Sequence, residues 1–466
     1  MLGTRRSLRV VTAAIVLVAS QAVIVQTEAA PAVPPGPTPK ARCGPGSRPE
    51  TGRQGRISSK DINSGRAARG FTCNTELVGR FGPDAGGYRV HRYVDRAGHE
   101  CAYYDSTLLF PSDVLAQLED LPGVFVLDMS DPRRPVKTDN LVTPAMLSPH
   151  ESMSINTKRG LLAAVVGNPI TAPGTLDIYD VSQDCRHPVL RSSTPVNILG
   201  HEGNFSPDGM TYYATSTGGM IFTAIDVSNP ALPVPLWVKT DVVYHGLSVS
   251  DDGKRVYVAD IGDPGLTILD TSQIQERVVN PQVPVISHLT WPEVSIPQTT
   301  IPVTIRGHRY LIEIDEFAGN PIPSAEPSAR VGAARIIDIA NDKRPRVVSN
   351  IRLEVHMPIN RVSQRNDPGA DSSLQGYAGH YCAVPRRREP GIVACTFILS
   401  GLRIFDIRDP LRPREIAYFN APHHDGLTNA ALSGPAFAPA RREVWYSDGS
   451  FGFYAVRLTN GVWPQR

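Results

Sequence analysis

Beyond residue 25 the sequence contains no apolar stretch long enough to cross a bilayer, so no membrane span is expected in the mature chain. A dominant charge sign is also missing. Lys and Arg number 47 against 45 Asp and Glu, for a net charge of +2. That balance removes electrostatic nucleic-acid binding as a default. The basic clusters Arg386–Arg388 and Arg441–Arg442 fall in turns and read as solvated. Helix signals are nearly absent, and the cysteines form no CxxC pair, which argues against a structural zinc site. No GxSxG elbow, HExxH, P-loop or GxGxxG in its proper context occurs, so no complete catalytic signature is present.

The N-terminus has the pattern of an export signal. Arg5, Arg6 and Arg9 precede the apolar run Val10 to Val25, and small residues follow at Ala29, Ala30 and Ala32. Residues 1–30 therefore read as a secretory signal peptide, which implies a secreted or cell-surface protein. Six cysteines, Cys43, Cys73, Cys101, Cys185, Cys382 and Cys395, suit an oxidising compartment. YCAVP and IVACTF flank the turn RRREPG, which sets Cys382 opposite Cys395 across a hairpin. The pairing of the others is open, and Cys43–Cys73 with Cys101–Cys185 is the working assignment. Residues 31–72, rich in Pro, Gly and Arg without periodicity, read as a flexible tail.

From residue 73 to 466 one phrase recurs: an apolar strand, an Asp, often Ser, then prolines. It appears as GVFVLDMSDPRRP, TLDIYDVSQDCRHP, MIFTAIDVSNPALP, GLTILDTSQ, AARIIDIANDKRP and GLRIFDIRDPLRP, with a degenerate last copy GFYAVRLTNGVWP. The Asp residues 128, 180, 226, 270, 338 and 406 are separated by 52, 46, 44, 68 and 68 residues. The shorter intervals match a four-stranded propeller blade, and the longer ones carry insertions. Each Asp is expected to accept backbone N–H bonds in its turn. The seventh unit runs out before its fourth strand, while NTELVGRFG (74–82) is a strand without a repeat. The expected fold is all-β: a seven-bladed β-propeller closed by an N-terminal strand that completes the last blade.

The strands VFVLD, LDIYD, TAIDV, LTILD, ARIID and LRIFD resemble LVIVD repeats, found in exported or surface proteins of bacteria and archaea. The resemblance covers roughly residues 74–463. It implies a propeller and no single activity. VSDDGKRVYVAD and SPDGMTYYATS also resemble blades of YVTN and lactonase-type propellers, which share such motifs without sharing a catalytic site.

Histidine placement is the one signal beyond architecture. Aligned on the end of the inner strand, four blades carry His at one position: His150, His201, His245 and His380. Gln298 stands at or beside that position in blade five, and HHDG (423–426) adds His424 as a further candidate. Around a ring these imidazoles would point toward a common axis, where neutral imidazole suits a divalent transition metal. Four histidines from separate blades hold iron in carotenoid-cleaving propellers, an analogy of arrangement only. Glu151 and Glu202 could support such ligands. The competing explanation is structural, with each His holding a neighbouring turn. Two functions follow as expectations. The first is an extracytoplasmic binding or scaffold module, acting as a monomer on a protein or glycan. The alternative is a metal-dependent enzyme, an oxidoreductase or lactonase-like hydrolase, with a His-lined channel site.

Overall fold

The computed structural model describes residues 36–82, 86–106, 122–166, 174–197, 200–317, 323–372, 376–423 and 429–464. The expected signal peptide (1–30) and His424 lie outside these residues.

Alternating apolar residues fold into seven antiparallel sheets that follow one another along the chain. Blade one is Val90–Val94, Glu100–Asp105, Val124–Asp128 and Val136–Leu141, from inner to outer strand. Blade two follows with Ser154–Asn156, Leu161–Val165, Gly174–Asp180 and Val189–Asn197. Blades three to five repeat the pattern, with inner strands Gly203–Phe205, Tyr244–Val249 and Ile296–Ile305. Gly379–Ala383 opens blade six and Ala436–Ala438 opens blade seven.

The strand period of two puts one face of each sheet against the preceding blade and the other against the next. In blade three, Tyr212 packs with Phe205, Leu161 and Ala163 toward blade two. Its neighbour Tyr213 packs with Tyr244, Leu247 and Val256 toward blade four. Such apolar clusters join blades one and two, four and five, five and six, and six and seven. The ring closes where Ala102 and Tyr104 of blade one meet Trp445 and Phe453 of blade seven.

Closure is made by the start of the chain. Thr75–Phe81 is the outer strand of blade seven, with Thr75 opposite Leu458 and Phe81 opposite Phe453. Phe71–Cys73 adds a fifth strand to blade six, pairing with Tyr418–Asn420, a feature the repeat pattern does not foretell. The seven-bladed propeller with an N-terminal closing strand is therefore the fold, and that strand completes the sheet of blade seven.

The repeated Asp performs the same task in every clear copy. Asp128, Asp180, Asp226 and Asp270 each accept the backbone N–H of the Ser two residues on, at 2.8–2.9 Å. Asp338 accepts from Ala340 and Asp406 from Arg408. These turns reverse the chain between third and fourth strands.

Disulfides join Cys43–Cys73, Cys101–Cys185 and Cys382–Cys395. Cys382 and Cys395 are direct partners across the blade-six hairpin. Cys101–Cys185 ties the second strand of blade one to a turn of blade two.

The segment expected to be a flexible tail is instead packed on the propeller from residue 36 onward. Glu50 pairs with the buried Arg403, which also holds Glu415 at 2.9 Å. Arg56 reaches Asp367 at 2.7 Å, and Ile57, Ala67 and Phe71 pack with Tyr418. Polar residues that composition reads as solvated thus find buried partners, and those pairs fix a segment whose regular structure is confined to Ser59–Asn63, Ala67–Arg69 and Phe71–Cys73.

Candidate metal centre

Each inner strand begins near the propeller axis, so residues at its start face one another across blades. Tyr88 and His150 have ring centroids 4.4 Å apart, His150 and His201 4.6 Å, and His201 and His245 4.6 Å. Tyr88 is also 5.3 Å from His380. The four aligned histidines therefore do converge. His201, His245 and His380 are buried and His150 is half-buried, with side-chain exposures of 17% for His150, 11% for His201, 3% for His245 and 0% for His380.

Glu151 stands at their centre. Its Oε2 lies 3.1 Å from Nε2 of His201 and 3.1 Å from Nε2 of His245. Those two nitrogens are 2.7 Å apart. Its Oε1 lies 3.3 Å from Nε2 of His380 and accepts a 2.5 Å hydrogen bond from Gln298 Nε2. Glu316, from the end of the second strand of blade five, reaches His380 Nε2 at 3.0 Å and His245 Nε2 at 3.7 Å.

The backbone sets which ring nitrogen faces inward. His245 Nδ1–H donates to the Pro297 carbonyl at 2.9 Å, and His380 Nδ1–H donates to the Leu432 carbonyl. In both rings Nε2 is therefore the atom presented to the carboxylates, the orientation that holds a ligating imidazole. His150 is held at a φ of 50°, in the left-handed region that side chains bearing a Cβ rarely adopt. Such a conformation costs on the order of 1 kcal/mol and is concentrated at functional sites.

Charge is sorted sharply here. Burial opposes the His245 cation, yet the Glu151 and Glu316 carboxylates outweigh it and raise its pKa to about 10. His380 is raised to about 9 against the same burial cost, by hydrogen bonds to Glu151 and Glu316 and by their charge. Burial lowers His150 to about 3, with its neighbouring imidazoles adding to the effect. Although burial works against its charge, Glu151 is held well below the usual carboxylate range by His245 and His150. Without a metal, His245 and His380 carry the positive charge that faces Glu151, while His150 is neutral.

A second polar layer supports the first. Arg89 of blade one donates to Glu202 Oε1 at 2.6 Å and to the Glu151 carbonyl at 2.9 Å. Its guanidinium sits 4.2 Å from the Tyr381 ring centroid. Burial lifts Glu202 to about 7, Arg89 opposing and Glu151 reinforcing the rise. Gly246 leaves room for that carboxylate: a Cβ there would stand 2.2 Å from Glu202 Oε2 and 2.1 Å from the Gln298 carbonyl. Arg89 also borders a cavity of about 570 Å³, lined by His91, Ile155, Ile301, Arg387 and Phe437 among others.

Other histidines serve the framework. His356 Nδ1 accepts from the Leu353 N–H and Nε2 pairs with the Tyr377 carbonyl, away from the axis. His423 lies against the N-terminal segment, its backbone N–H donating to Ala67. Asp95, His99 and Asp184 form another acid–His group. There Asp95 is occupied by the N–H groups of Ala97, His99 and Cys185, and Asp184 by Arg186.

Sequence reasoning singled out His150, His201, His245, His380, Gln298, Glu151 and Glu202, but missed Tyr88, Arg89 and Glu316. Tyr88-Arg89 occupies in blade one the place that His-Glu occupies in blades two and three, a position the same alignment could have reached. Glu316 comes from a second strand, which that alignment does not sample.

No protein-family model matches the sequence, and no curated protein matches it. Among solved structures the chain is similar to the β-propeller domain of Myceliophteria thermophila Cps50 (Swd1). The TM-score is 0.51 at 10% identity, covering 82% of this chain and 98% of that one. It is similar also to a chain of a mitotic checkpoint complex, with a TM-score of 0.50 at 11% identity over 82% of this chain and 94% of that one. The periplasmic gluconolactonase PpgL of Pseudomonas aeruginosa aligns with a TM-score of 0.47 at 12% identity, over 72% and 92% of the two chains. Likeness at these identities establishes the propeller fold and nothing finer.

Proposed function

We propose that this protein is an exported metal-dependent enzyme that holds a divalent transition metal at the His-lined end of its propeller channel. One observation carries the reading. Three Nε2 atoms, from His201, His245 and His380, surround the Glu151 carboxylate at 3.1–3.3 Å, and two of the rings are fixed through Nδ1 to backbone carbonyls. Ligands about 2.0–2.1 Å from one ion in tetrahedral geometry are themselves roughly 3.3 Å apart, close to this spacing. Imidazole with carboxylate suits zinc, iron, copper or nickel. Framework histidines, by contrast, bond neighbouring turns, as His356 does. Export is supported by the N-terminal pattern of residues 1–30 and by three disulfides. The likeness of the repeats to LVIVD blades accords with that location.

The test is elemental analysis by mass spectrometry of the purified, disulfide-intact protein beside a His201→Ala/His245→Ala variant. Stoichiometric metal in the parent that disappears from a folded variant supports the reading. A metal-free parent that takes up none of zinc, iron, copper, nickel or manganese on titration overturns it, and leaves the propeller as a binding or scaffold module.

A further inference from the structure

We propose that the channel end takes two metal ions, with Glu151 as the bridging carboxylate between them. The inference rests on the metal-dependent reading above and specifies how the ligands are shared. Two groups of candidate ligands have donor atoms within 4.8 Å of one another: His150, Glu151 and His201 form one, and Glu151, Glu316 and His380 form the other. Glu151 is the only member common to both. Its two oxygens are divided between them, Oε2 facing His201 and His245 at 3.1 Å, and Oε1 facing His380 at 3.3 Å. His245 stands between the halves, 2.7 Å from His201 and 3.7 Å from Glu316 Oε1.

The hydrogen-bond inventory points the same way. Glu151 Oε2 is buried and accepts no hydrogen bond of acceptable geometry, despite the two imidazole nitrogens beside it. Gln298 Oε1 and His150 Nδ1 are likewise buried without a hydrogen-bond partner. Buried polar atoms are ordinarily satisfied, so orphans gathered around one carboxylate mark a place for a cation. A single ion on the Oε2 side would leave the His380–Glu316 pair, 3.0 Å apart, without a role in ligation. One half then has imidazoles and one carboxylate oxygen, the other an imidazole and two carboxylates. Paired ions of this kind act as a clamp on the attacking and leaving oxygens of a hydrolytic displacement, which directs the search for substrates to esters and phosphate esters.

Full-length protein, stripped with chelator and titrated with manganese(II) and zinc(II), gives the test by metal counting and electron paramagnetic resonance. The expected result is two equivalents per chain, with a spin-coupled manganese spectrum. One equivalent overturns the pair while leaving the metal-dependent reading intact, and none overturns both. Two equivalents with uncoupled spectra overturn the bridge. Glu316→Gln, which keeps shape and hydrogen bonding, is expected to lower the count from two to one and abolish the coupling. Circular dichroism checks that the variant is folded, and an undiminished count in it overturns the assignment of the second half.

Discussion

Replacing Arg89 by Met keeps the length of an apolar stem and removes the counter-charge of Glu202. In the parent, Glu202 is fully buried and receives Arg89 Nη2 at 2.6 Å. Stripping one partner from a buried ion pair costs about 3–5 kcal/mol when the remaining group stays ionised. Because Glu202 sits at about 7, its state depends on pH within an accessible range. A carboxyl with a raised folded pKa keeps a proton that the unfolded chain releases above its own, lower pKa. Stability from this group therefore declines as pH climbs from roughly 4.5 to 7. Losing Arg89 raises the carboxyl further and prolongs the decline beyond that window. Near pH 5 the side chain is already neutral, and the variant forfeits only hydrogen bonds, about 1–3 kcal/mol. Chemical unfolding at about pH 5 and about pH 8, with chelator present, should thus show a penalty larger by about 1 kcal/mol at the higher pH. Equal penalties at both pH values, or less than about 1 kcal/mol at pH 8, would refute the pairing argument.

Three further outcomes are expected. Gly246→Ala places a methyl 2.2 Å from Glu202 Oε2, so it should push the carboxylate off Arg89, lower stability by about 3 kcal/mol and reduce metal content, read by unfolding and mass spectrometry. Asp226→Ala removes one turn hydrogen bond of 2.8 Å to the Ser228 N–H and should cost about 1 kcal/mol with metal content unchanged. His356 and His91, lowered by burial to about 3 and about 4, stay neutral in the fold while the unfolded chain protonates near 6.5. Their contribution is present above that pH and is lost as pH falls toward 4, by about 1.4 kcal/mol per pH unit for each group. His356→Gln should make the acid limb of a stability–pH curve shallower, and an unchanged slope would show that this ring does not drive it.

Much of the architecture was legible because it repeats. Six Asp residues at blade spacing marked the third strands, and each does cap the turn after its strand. The unpaired NTELVGRFG supplied the closing strand. The histidine alignment reached the centre of the channel, because residues at one strand position converge once the ring closes. Glu316 escaped because the ring also admits the ends of second strands, which an alignment of inner strands does not sample. Residues 36–70 were misread because Pro and Gly hid a segment held by Arg403–Glu50 and Arg56–Asp367, pairs with no local sequence pattern.

The double use of residues 71–81 bears on the order of events during synthesis. These strands precede blade one in the sequence, yet their partners, Arg414–Asn420 and Gly452–Leu458, belong to blades six and seven. Blades one to five can assemble as they emerge, but the latch cannot fasten until blades six and seven are present. Such distant pairing slows final closure and keeps the ring open until blades six and seven have formed.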